Sequence, residues 1–135
     1  MLKSKVLLPS DGSDNSLKAA AYASRLMKIN PDLKLSVLVV APENSSFAEI
    51  DRAMEEKSKE IMDRTLQGFL KDGLEVEKFI EKGDPATVIL DYAERGNYDH
   101  IIMGSRGASE LRGAAIGSVS HKVIHLANCR VTLVK

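Results

Sequence analysis

Two stretches of this chain carry residues whose types and spacing suit chemistry. The first, Pro9-Ser10-Asp11-Gly12-Ser13, sets a carboxylate between hydroxyls on a glycine-containing turn. The second opens as Gly104-Ser105-Arg106-Gly107 and, nine residues later, continues as Gly117-Ser118-Val119-Ser120. Glycine at 104 and 107 permits positive φ and lets the backbone approach a ligand with no Cβ in the way. A helix opening after Gly117 presents unpaired N–H groups and the positive end of its dipole to an anion, and Ser118 and Ser120 add hydroxyl donors. Such parts seat a chain of phosphates without any lysine.

Each feature also has a plainer reading. Glycine- and serine-rich loops often only connect elements, and Asp11 within Asp-Gly-Ser is ordinary turn or helix-cap chemistry. Arg106 and Arg112 are placed either to neutralise phosphate charge or to sit in solvent. His121 and His125 stand four apart, the spacing of two ligands on one helix face, but no glutamate lies between them, so they read as packing or helix-end residues before zinc ligands. Met54, Met62, Leu66 and Leu70 read as core packing, the charges from Glu55 to Arg64 as a solvated face, and Cys129 as a packed thiol before a buried strand. No Gly-x-x-x-x-Gly-Lys-Ser/Thr occurs and no Gly-x-Gly-x-x-Gly follows the first apolar run, which argues against a P-loop or a dinucleotide site and for a mononucleotide.

The elements that must hold these loops follow from periodicity. Val6-Leu7-Leu8-Pro9 is a short buried strand; Ser13 or Asn15 caps a helix whose Ala19, Ala20, Ala23, Leu26 and Met27 form one apolar stripe. Leu33 to Ala41 becomes wholly apolar, as a strand inside a parallel sheet does, and a long charged helix runs from about Phe47 to Leu70 before Asp72-Gly73. Leu74 to Ile80 alternates as an edge strand carrying charge. Asp84 as N-cap and Pro85 at the first position open a helix ending at Arg95-Gly96. His100 to Gly104 is a fourth strand, Ser118 to about Asn128 a helix, and Arg130 to Val134 a fifth strand. Five strands separated by helical connections predict a single doubly wound, Rossmann-like α/β domain spanning residues 1–135, a five-stranded parallel sheet with helices on both faces. In such sheets ligands sit outside the carboxyl ends of the strands where the winding reverses, so central first and fourth strands would bring both loops to one crevice.

At 135 residues, 44% apolar and 28% charged, the chain has the length and composition of one self-sufficient core. Nineteen basic and nineteen acidic residues cancel, leaving no overall field to gather nucleic acid. The run after Met1–Lys5 is too short for a signal peptide, and no stretch of about 18 apolar residues exists to span a membrane. With Cys129 as the sole cysteine, these features lead us to expect a cytoplasmic protein.

The spacing Gly104-x-x-Gly107, nine residues, Gly117-Ser118, together with Pro9-x-Asp11-Gly12-Ser13, resembles the nucleotide-binding pattern of the universal stress protein family, and the resemblance covers the whole chain. It implies a strand order of 3-2-1-4-5, the ATP-binding branch of the family, and a homodimer through the last strand, Arg130–Val134. Carried over by position, Pro9 belongs to the first-strand loop, Asp11 meets the ribose or adenine side and Val40 lines the adenine pocket. Met103, Gly104, Ser105, Arg106 and Gly107 wrap ribose and phosphates, and Gly117, Ser118, Val119 and Ser120 hold the phosphates, with Mg2+ on them. Arg130 stands where the family often has proline. Three functions stay open on this reading: an ATP-binding stress-response switch with slow or no hydrolysis, a weak ATPase or autophosphorylating enzyme using Ser118 or Ser120, and a nucleotide-free dimeric interaction module.

Overall fold

The computed structural model describes residues 4–107 and 116–135. In chain order its elements are β1 (Lys5–Pro9), α1 (Asp14–Ile29), β2 (Lys34–Ala41), α2 (Ala48–Lys71), β3 (Glu77–Lys82), α3 (Pro85–Arg95), β4 (His100–Gly104), α4 (Ser118–Leu126) and β5 (Arg130–Val134). The strands form one parallel sheet ordered β3-β2-β1-β4-β5, as expected. Because successive strand residues point to opposite faces, the central strands β1, β2 and β4 each feed two cores. Val6, Leu8, Val37, Val39 and Ile102 pack with Ala19, Ala23, Met62, Leu66 and Phe69 of α1 and α2. On the other face, Leu7, Leu38, Ile101 and Met103 pack with Ala86, Ile89, Ala93 and Val123 of α3 and α4.

Caps set the helix starts. Ser13 Oγ accepts from Ser16 N at 3.3 Å to open α1, and Asp84 accepts from Thr87 N at 3.1 Å to open α3. Three expectations need correction. The third strand begins at Glu77 rather than Leu74, because Leu74 N still bonds to Phe69 O at 2.9 Å and finishes the helix end. Leu70 and Met54 are exposed, 70% and 37%, while Phe69 takes the core position beside Met62 and Leu66. β5 is the sheet edge and only half-buried, so Cys129 precedes an edge rather than a buried strand. Gly96 is the C-cap of α3, as expected, in a right-handed conformation, and the αL turn that follows falls on Asn97 (φ 55°), a residue type that tolerates it.

Two consequences can be measured. Gly68 lies inside α2 with nothing within 4 Å of the Cβ it lacks. Gly68→Ala is expected to stabilise the protein by about 0.5–1 kcal/mol, read as a rise in the urea midpoint. His100 sits in the β4–β5 ladder with Nε2 2.7 Å from Thr132 Oγ1. Burial, helped by Arg130 and opposed by Asp99, holds its imidazole below the ordinary value of 6.5. Between the two values the unfolded chain binds more protons, so this contribution is complete above the unfolded value and is lost as pH falls through the folded one. Melting temperatures should therefore fall as pH drops below 6.5, and a His100→Gln variant should fall less steeply.

Candidate functional site

The winding reverses between β1 and β4, whose pairing sets Val6 beside His100 and Leu7 beside Ile101. Both loops named above leave the carboxyl ends of these neighbours, where an open α/β sheet leaves a crevice. A cleft of about 410 Å³ lies there, within the range of small-molecule sites. Its walls include Pro9, Ser10 and Asp11 after β1, Leu38, Val40 and Pro42 of β2 and its end, and Met103, Gly104, Arg106 and Gly107 after β4. Val119 and Ser120 of α4 close one side.

The β1 loop is held by a chain of hydroxyl bonds. Thr65 Oγ1 donates to Ile61 O at 2.8 Å, so its 2.8 Å contact with buried Ser10 Oγ must be donated by Ser10. Gly12, at φ +78°, turns the chain, and Arg64 Nη1 of α2 donates to its carbonyl at 3.3 Å. Asp11 Oδ1 accepts from Ser13 N at 3.0 Å and from Ser16 Oγ at 2.7 Å. Asp11 is thus both a turn residue and a cleft residue.

The β4 loop is closed onto the strand at both ends. Gly117 N donates to Ser105 O at 2.6 Å, and Ser120 Oγ donates to Gly104 O at 2.8 Å. These two bonds fix the start of α4 beside the end of β4. Gly117 is the N-cap and makes no side-chain cap bond, and the positive end of the α4 dipole that follows it favours an anion. Asn15 Nδ2 donates to buried Ser105 Oγ at 3.3 Å, tying this strand end to α1.

Not every sequence-derived role survives in its first form. Gly104 and Gly107 do not have positive φ. What excludes a side chain is crowding: a Cβ on Gly104 would lie 2.8 Å from Asn15 C, and one on Gly107 2.5 Å from Asp11 Oδ2. The Ser120 hydroxyl is committed to Gly104 O and 3% exposed, so its N–H is what it can offer an anion. Ser105 and Gly117 are buried in the scaffold; with Ser118, they do not line the cleft. Arg112 lies outside the described residues.

Sequence reasoning missed one whole wall. Met54, Lys57, Ser58 and Ile61 of α2 line the cleft, as do Pro85 and Ile89 of α3. The α2 residues recur at three- and four-residue steps on one face. That signal was present, but periodicity alone places Met54 in the core and the charges from Glu55 to Arg64 on a solvated face.

The universal stress protein family's sequence profile matches residues 3–135. The chain belongs to that family. As a universal stress protein it is 30% identical over 141 residues to universal stress protein MJ0531 of Methanocaldococcus jannaschii, covering 99% of this chain and 83% of that protein. It is 33% identical over 146 residues to universal stress protein YxiE of Bacillus subtilis, covering 97% and 98%. Its fold matches the solved structure of MJ0577, another universal stress protein of M. jannaschii, with a TM-score of 0.85, 27% identity and coverage of 100% and 97%. The universal stress protein fold recurs in an Arabidopsis thaliana family member with AMP bound (TM-score 0.69, 24% identity, coverage 98% and 91%). It recurs again in the Archaeoglobus fulgidus protein in complex with dAMP (TM-score 0.75, 21% identity, coverage 100% and 100%). Among the described residues, no helix is long and apolar enough to cross a membrane.

Proposed function

We propose that this universal stress protein binds ATP in the cleft and works as a nucleotide-dependent stress-response switch in the cytoplasm, hydrolysing ATP slowly or not at all. The observation that carries the reading is the double closure of the β4 loop, Gly117 N on Ser105 O and Ser120 Oγ on Gly104 O, which brings the start of α4 to the cleft rim. The residues suit each part of the ligand. Leu38, Val40, Ile89 and Met103 offer an apolar bed for adenine. Asp11 accepts from ribose hydroxyls, while Arg106, Gly107 and the N–H groups of Val119 and Ser120 serve the phosphates. Two related folds with adenine mononucleotides bound support the choice of ligand class.

Among the described residues no group of three or more His, Cys, Asp or Glu is gathered in one place, so Mg2+ would arrive on the phosphates. The same walls support slow hydrolysis. Among the described residues lining the cleft, Asp11 is the one carboxylate and there is no histidine to activate water. The half-buried edge strand β5, with Val131 and Leu133 partly exposed, supports a homodimer through Arg130–Val134; Arg130 itself points to Asp99, 3.7 Å away. Calorimetry with ATP, ADP and AMP in magnesium tests the binding claim. Heat with at least one of them is expected, and none with any of the three refutes it.

A further inference from the structure

His121 and His125 stand apart from the cleft, on the exposed side of α4. Neither is buried as a packing residue, although His125 does stand in the last turn of α4: both are exposed, and their rings face each other edge-to-face with centroids 4.4 Å apart. The Nε2 atoms lie 3.2 Å apart, one ring donating and the other accepting. That separation is what chelation needs. Two imidazole nitrogens each about 2.0–2.1 Å from one metal ion are about 3.3–3.4 Å apart across a tetrahedral angle and about 2.8–3.0 Å apart at a right angle. The observed distance falls between the two, so the pair would bind without rearrangement of the helix.

We propose that His121 and His125 form a two-histidine chelate for a borderline divalent transition-metal ion, Cu2+ most tightly and Ni2+ or Zn2+ after it, with water in the remaining positions. Neutral imidazoles are the ligands. The proton on the donating Nε2 moves through solvent to the Nδ1 of the same ring, so both Nε2 lone pairs meet the metal and no proton is lost overall. A metal bridging positions four apart also staples α4, a helix of nine residues, which is shorter than helices that persist by themselves.

The test uses the full chain without an affinity tag. Cu2+ is titrated by calorimetry, and frozen-solution paramagnetic resonance counts the nitrogens bound. One equivalent carrying two imidazole nitrogens is expected, with a rise in melting temperature on loading. His121→Gln and His125→Gln should each weaken binding on the order of a hundredfold, since loss of one ring turns a chelate into a single ligand. Both positions are exposed, so metal-free melting temperatures should match the parent. Copper binding that survives unchanged in the double variant, or a parent protein that binds none, overturns the proposal.

Discussion

Gly104→Val is expected to destabilise the protein by about 3 kcal/mol and to lower its melting temperature by about 10 °C. The added Cβ would lie 2.8 Å from Asn15 C and 2.9 Å from both Asn15 Cβ and Ser16 N. Two of those three atoms are backbone in the first turn of α1, so no side-chain rotation relieves the overlap. Either α1 moves away from β4 or the end of β4 bends. Both responses disturb the buried Asn15–Ser105 bond and the Ser120–Gly104 bond. Thermal unfolding of the variant beside Gly68→Ala, which meets nothing, checks the contrast. A melting temperature within a degree or two of the parent would show that the α1–β4 contact is softer than its geometry implies.

Gly107→Val is expected to act on the ligand instead. Its added Cβ would meet Asp11 Oδ2 at 2.5 Å, with the next nearest atom, Asp11 Cγ, at 3.7 Å. The atom in the way is the tip of a side chain that can swing, so the fold should hold and the melting temperature should stay within a few degrees. The swing has a cost at the site. Asp11 would leave Ser13 N and Ser16 Oγ, and the valine branches would occupy space at the cleft rim. Losing about two charge-assisted bonds to phosphate or ribose, at about 1.5 kcal/mol each, weakens ATP binding on the order of a hundredfold. If calorimetry gives the variant the parent's ATP affinity, the phosphates do not lie against this loop. The two glycines thus fit one motif for different reasons, one for helix packing and one for the site.

The described structure confirms most of what periodicity and punctuation foretold. Ser13 and Asp84 cap their helices, Asp72-Gly73 ends α2, and the sheet runs in the expected order. These features depend on a few neighbours along the chain, so the chain displays them. The misreadings share a cause. Periodicity assigns Met54 to the core and Lys57 to the surface, yet both face the cleft, because a helix stripe is ambiguous until its partner is known. Leu70 and Phe69 exchanged places for the same reason, since adjacent residues differ by about 100° around a helix and only the sheet decides which is inside. The histidine pair was legible as a spacing but not as a distance.

The sequence alone determined the alternation of strands and helices, the parallel sheet, and the two loops that share its carboxyl edge. Each is set by local periodicity, capping and the short reach of the connections. Only the tertiary structure decided that Gly104 and Gly107 are needed for close contact rather than for positive φ, that Ser120 spends its hydroxyl on Gly104 O, and that α2 supplies a wall of the cleft. Those facts concern atoms brought together from distant parts of the chain, and steric exclusion between them exists only once the sheet and helices have packed.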